Sequence, residues 1–115
     1  MYEYKAVVTN VVDGDTLDVN ISLGFHLFAH IRMRLARINT PETYGVKRDS
    51  DEYRAGMKAK AYVIDNVELQ DVLIRTEKTG KFGRWIAEVF YGEDFSINLN
   101  DELVSHGLAK RYMEK

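Results

Sequence analysis

Residues Thr16–Leu23 alternate almost without fault. Leu17, Val19, Ile21 and Leu23 fall on one side, Thr16, Asp18, Asn20 and Ser22 on the other. A period of two predicts a strand with one buried face. That strand needs partners, and the sequence supplies them on both sides. Tyr4–Val12 is rich in β-branched and aromatic residues and predicts the strand before it. Asp13-Gly14, between the two, is a tight-turn signal. Gly24 ends the second strand. Ala29–Ile38 alternates again, with Ile31, Met33 and Leu35 opposite His30, Arg32 and Arg34. The parity then fails, because Arg37 falls where an apolar residue is due. A bulge or a change of partner accounts for such a break, and barrels use them to curve.

The rest of the chain predicts fewer strands and two helices. Tyr44–Asp51 is polar and reads as a loop. A helix is expected from about Ser50, capped by Ser50 or Asp51, with Asp51 and Glu52 in its first turn. Its apolar stripe is expected to be Tyr53, Met57, Ala61, Ile64 and Val67. Val72–Thr76 and Trp85–Tyr91 read as strands joined by the basic turn Lys78–Arg84. Asn98 caps a second helix through His106, with Gly107 as its stop, and Leu108–Tyr112 forms a last short strand. The order is three strands, helix, two strands, helix. It has no βαβ rhythm. The expected fold is mainly β with helices (α+β): a five-stranded OB-fold Greek-key barrel with two helices. Residues 1–115 form a single domain, long enough for a real core.

Composition narrows the functional classes. No cysteine is present, which excludes disulfides, thiolate zinc sites and cysteine nucleophiles. The net charge of −2 counts against a passive nucleic-acid binder, which would usually be basic. It counts less against an enzyme that draws a cation into an acidic pocket. The basic residues are unevenly spread: Arg32, Arg34, Arg37, Lys47, Arg48, Arg54, Lys58 and Lys60 gather around one stretch. No apolar run approaches a membrane span, so no membrane partner is expected. The start, M-Y-E-Y-K-A, lacks the apolar core of a signal peptide. The expected location is cytoplasmic unless the chain is trimmed from a secreted precursor, and the expected state is a monomer.

That one stretch is R-L-A-R-I-N-T-P-E-T, Arg34–Thr43. It offers a guanidinium (Arg34), an amide oxygen (Asn39), a hydroxyl residue (Thr40) and a carboxylate (Glu42). Pro41 biases Thr40 to an extended backbone and so fixes where its carbonyl points. Oxygen ligands on a rigid turn suit a hard metal ion, and a neighbouring arginine suits phosphate. Asp15, at the start of the second strand, can be aimed along the barrel by the turn before it. The basic turn Lys81-Phe82-Gly83-Arg84 can receive a phosphate. Together these make a phosphoryl-transfer site: oxygen ligands for Ca²⁺, a carboxylate base and two arginines.

Four motifs also resemble the staphylococcal nuclease (thermonuclease) family: V-V-D-G-D-T (Val11–Thr16), R-L-x-x-I-x-T-P-E-T (Arg34–Thr43), K-F-G-R (Lys81–Arg84) and N-x-x-L-V-x-x-G-L-A-K (Asn100–Lys110). They stand in family order and span nearly the whole chain. The resemblance implies an OB-fold barrel and Ca²⁺-dependent cleavage of DNA and RNA that leaves 3′-phosphate ends. It implies that Asp15 binds the metal and that Thr40 does so through its carbonyl. It implies that Glu42 is the general base on water, that Arg34 and Arg84 clamp the phosphate, and that Lys81 holds the terminal phosphate of a bound nucleotide. Three positions depart from the pattern. Asn39 replaces a metal-binding aspartate and removes one negative charge. Phe82 replaces a tyrosine, losing a hydroxyl but keeping a ring that can stack. Tyr112 stands one position off the family's C-terminal tyrosine, where it can stack a base. The alternative is a weakened or inactive OB-fold module binding nucleic acid or protein. Asn39 and Phe82 favour that alternative; retention of Asp15, Arg34, Glu42 and Arg84 together favours the enzyme.

Overall fold

A computed structural model describes residues 2–76 and 85–111. The strands are β1 (Tyr2–Asp13), β2 (Thr16–Gly24), β3 (Leu27–Leu35), β4 (Ile38–Asn39), β5 (Asp71–Thr76), β6 (Trp85–Tyr91), β7 (Ile97–Asn98) and β8 (Lys110–Arg111). Helix α1 (Asp51–Val67) follows β4 and α2 (Leu99–Ser105) follows β7. The sheet runs β3-β2-β1-β5-β6-β7, and parallel pairing of β3 with β6 over Met33–Leu35 closes it. The result is the expected closed five-stranded barrel with two helices. The expected basic turn Lys78–Arg84 lies outside the described residues; β5, before it, ends at Thr76.

The alternation in β2 does what its period demands. Leu17, Val19 and Ile21 point into a core shared with Val8, Met33, Leu35, Ile74 and Val89. Leu23 departs from the expectation and is half exposed. The reason is length: β1 pairs with β2 only as far as Ala6↔Ile21, whereas β2 and β3 continue together to Gly24↔Leu27. The hairpin outruns the barrel, so its last apolar residues have no interior to enter.

The broken parity near Arg37 is a change of partners. β3 pairs with β2 through Arg34↔Thr16. Then Ala36 N–H donates to the Ala87 carbonyl of β6 at 2.8 Å, and Arg37 takes a left-handed φ of 60°. β4 emerges to pair with β8 instead. Asn100, buried at the start of α2, fastens this corner. Its Nδ2 donates to the carbonyls of Ala36 (3.0 Å) and Ala87 (3.2 Å), and its Oδ1 accepts from Val89 N–H (3.2 Å).

Both helix caps form as expected. Ser50 Oγ accepts from Tyr53 N–H at 3.1 Å, and Asn98 Oδ1 accepts from Asp101 N–H at 3.1 Å. The buried stripe of α1 is a correction, however. It is Gly56, Ala59, Val63 and Val67; of the expected stripe Val67 is buried, Tyr53 and Ile64 are half-buried, and Met57 and Ala61 are exposed. A Cβ on Gly56 would lie 2.6 Å from the Pro41 carbonyl oxygen and 2.7 Å from Thr43 Cγ2. The helix therefore lies against the backbone of the Thr40–Thr43 turn, and only small residues fit between. Gly14 serves the same packing, since a Cβ there would meet Ala59 Cβ at 2.8 Å and Thr40 Cγ2 at 2.9 Å.

Candidate active site

Two turns meet at one rim of the barrel. The β1–β2 turn carries Asp13 and Asp15, and the end of β3 with the segment after it carries Arg34, Asn39, Thr40 and Glu42. Backbone and side-chain bonds lash them together. Leu35 N–H donates to the Asp15 carbonyl at 2.9 Å, and Thr40 N–H donates to Asp15 Oδ2 at 3.1 Å. Thr43 Oγ1 donates to Asp13 Oδ1 at 2.5 Å, while Thr16 Oγ1 donates to Asp15 Oδ1 at 3.1 Å. Asp15 and Thr40 are both buried. A buried carboxylate in that position requires such donors, because desolvation without them would be costly.

Asp13, Asp15, Arg32, Arg34 and Glu42 all line one open cleft of about 410 Å³. The structure thus brings together Asp15, Arg34 and Glu42. Glu42 is exposed there, while Arg34 is largely enclosed. The Arg34 guanidinium lies 3.5 Å from Asp15 Oδ2, donates to the Ile38 carbonyl at 3.0 Å, and also donates to Asn39 Oδ1. Asn39 and Thr40 line a second groove on the other face of the same turn, of about 610 Å³, floored by Pro41, Ala55 and Leu108. Lys81, Phe82, Arg84 and Tyr112 lie outside the described residues.

Asp13 is the site residue that sequence reasoning missed. Its carboxylate was absorbed by the turn signal of Asp13-Gly14, yet it faces the same cleft as Asp15. The spacing of two acids about one glycine was the available signal. Arg32, also in the cleft, is engaged elsewhere. It donates through Nε to Asp18 Oδ1 at 2.8 Å and through its terminal nitrogen to Oδ2 at 3.2 Å. This hydrogen bonding holds the Asp18 carboxyl below its ordinary value against the opposing effect of burial, with help from Asn10. Among the described residues, no group of three or more His, Cys, Asp or Glu side chains is placed to hold a metal ion. Nor is any described helix long and apolar enough to cross a membrane.

A closed five-stranded barrel with a helix between its third and fourth barrel strands, β3 and β5, makes this an OB-fold protein. A sequence profile of the Staphylococcal nuclease homologue family matches residues 32–115. The chain belongs to that family. It is 34% identical over 116 aligned positions to Endonuclease YhcR of Bacillus subtilis, covering 96% of this chain and 9% of that protein. It is 26% identical, again over 96% of its length, to the Micrococcal nuclease of Shigella flexneri, of which it spans 59%.

Proposed function

We propose that this domain hydrolyses phosphodiester bonds of DNA, RNA or both. The observation that carries the reading is the meeting of Asp15, Arg34 and Glu42 in one cleft, in a member of a family with relatives named as nucleases. Phosphodiester hydrolysis needs donors for the charge that builds on phosphorus-bound oxygens and a base near the attacking water. Arg34 is the donor, presenting a planar fork that a lysine could not reproduce. Arg84 is assigned the second clamp, and Lys81 and Phe82 the contacts to a flanking nucleotide, with Tyr112 stacking a base. Glu42 takes the proton from water as the water oxygen attacks phosphorus; the P–O bond to the leaving nucleotide breaks, and the leaving oxygen takes a proton from solvent.

The donors around Asp15, Asn39 and the Thr40 carbonyl are all oxygen, which fits a hard cation such as Ca²⁺. Asp15 retains lone pairs beyond its bonds to Thr16, Thr40 and Arg34. When bound, the ion would supply positive charge at the scissile phosphate. Asp13 accepts from Thr43 and so holds the turn that carries Glu42. Arg34 must exchange its bonds to Asp15 and Asn39 for bonds to phosphate as substrate enters.

The test is cleavage of denatured DNA with Ca²⁺, with Mg²⁺ and with chelator, for wild type and Glu42→Gln, with circular dichroism to establish folding. Cleavage that needs Ca²⁺ and is lost in Glu42→Gln is the expected result. Undiminished cleavage by Glu42→Gln removes Glu42 from its role. A folded protein that shows no cleavage with any of these metals is instead a binding module.

A further inference from the structure

The chain that carries Glu42 does not return at once to the barrel. It runs on as Thr43-Tyr44-Gly45-Val46-Lys47-Arg48-Asp49 before Ser50 caps α1. Both ends of this loop are fixed. At its start, the Thr43 hydroxyl is bonded to Asp13, a residue of the cleft. At its far end, Ser50 donates to the Lys47 carbonyl through its N–H (3.0 Å) and its hydroxyl (2.6 Å), and Arg54 Nη1 donates to the Asp49 carbonyl at 2.6 Å. Gly45 takes a φ of 72°, which a side chain would resist, and turns the chain directly after Tyr44.

Three side chains of the loop are left for something outside the chain. A tyrosine ordinarily lays its ring on apolar neighbours and keeps only its hydroxyl wet. Tyr44 is 83% exposed, so its ring stands in solvent. Lys47 and Arg48 are exposed as well, and among the described residues neither pairs with a carboxylate. The loop carries these two cations against one acid, Asp49. The acids that follow are turned to other uses: Asp51 pairs with Arg54, and Asp51 and Glu52 line the groove on the other face of the turn.

The order along the chain is therefore carboxylate, ring, cations. Tyr44 Cα lies at most about 7 Å from that of Glu42, because two residues cannot reach farther. That span is comparable to one nucleotide of an extended strand. Single-stranded nucleic acid is held by contacts in the same order, rings against bases and cations against phosphates. We propose that Tyr44 stacks the base beside the scissile phosphate and that Lys47 and Arg48 together hold the next phosphate along. This contact presupposes the nucleic-acid substrate of the nuclease reading, and it gives the cleft a flank made from one continuous loop. The loop holds the strand and leaves the chemistry to Arg34 and Glu42. Because every base has a face to stack, the contact is indifferent to sequence.

The test is fluorescence anisotropy with a labelled oligothymidylate and with the same strand bearing abasic sugars, in the Glu42→Gln protein to prevent turnover. Adding Tyr44→Ala should weaken binding of the oligothymidylate about tenfold and leave the abasic strand unaffected. Tyr44→Phe, which keeps the ring, should bind as the parent does. Replacing Lys47 and Arg48 by alanine should lower the slope of log affinity against log salt by about 0.7, the value for one phosphate of a single strand. With Glu42 in place, Tyr44→Ala should raise KM about tenfold and leave kcat unchanged. Equal oligothymidylate affinity with and without the Tyr44 ring overturns the stacking contact, as does an equal loss on the abasic strand or a parent that binds neither strand. An unchanged salt slope overturns the phosphate contact. If binding depends on Tyr44 but no metal supports cleavage, the nuclease reading falls and the base contact stands. If cleavage proceeds and Tyr44→Ala changes nothing, the base contact falls and the nuclease reading stands.

Discussion

Replacing Gly56 by alanine tests whether the Thr40–Thr43 turn is held in place by the helix beneath it. In an open helix this change stabilises by about 1 kcal/mol, because alanine is the better helix former. Here the new Cβ would sit 2.6 Å from the Pro41 carbonyl oxygen and 3.2 Å from that of Glu42. Ordinary contact begins at 3.4 Å, so helix and turn must separate by about 0.8 Å. The obstacle is backbone and no rotamer change relieves it. Overpacking of this kind costs about 1–3 kcal/mol, which more than cancels the propensity gain, and the net loss should be about 1 kcal/mol in urea unfolding. The displaced segment carries Glu42, and a misplacement near 1 Å can lower a rate about a hundredfold. Cleavage of denatured DNA should show kcat reduced about 10- to 100-fold, with KM changed far less. A variant that gains the full propensity term and keeps wild-type kcat would refute the argument, because α1 could then not be pressed against the turn.

Three further expectations follow from the same geometry. Asn39→Asp restores a charge among the oxygen donors and should tighten Ca²⁺ binding in a calorimetric titration; an unchanged affinity puts Asn39 outside the coordination shell. Asn100→Ala strips three buried hydrogen bonds from the β3–β6 corner and should cost about 2–4 kcal/mol in urea unfolding; a loss under about 1 kcal/mol would mean that water replaces the amide. Burial, with hydrogen bonds to Tyr91 and Glu102, raises the Tyr62 phenol above its ordinary value. That stabilisation is fully present below the unfolded value of about 10 and is lost as pH rises toward the folded one. Melting temperature should therefore fall from about pH 10 upward in wild type and less steeply in Tyr62→Phe; parallel curves would exclude Tyr62 as the titrating group.

The barrel was legible because period-two alternation is imposed by burial itself. Leu17, Val19 and Ile21 could alternate for no other reason. Leu23 continued the pattern and still came out exposed, since alternation records a pleat and not where a neighbouring strand stops. The face of α1 was misread for a different cause. Met57 and Ala61 were chosen as hydrophobes, whereas the tightest packing is made by Gly56 and Ala59, whose value lies in what they lack. At the rim, residue type and order pointed to Asp15, Arg34 and Glu42, which the fold brings to one cleft. Asp13 was overlooked because a turn sufficed to explain it. The engagement of Asn39 by Arg34 was invisible for lack of any local pattern: it depends on β4 leaving the sheet to pair with β8.

The β2–β3 hairpin joins the acidic rim at one end to the apolar tip at the other, through strands that share one pleat. Two residues added to each strand at the tip would lengthen the rod by one pleat period and leave every side chain near Asp15 and Arg34 facing as before. A single residue added to one strand would invert that strand's faces or force a bulge. The tip is accordingly free to vary in paired steps while the rim stays in phase. Within this one hairpin, whatever the distal end comes to touch can diversify without disturbing the residues that face the cleft.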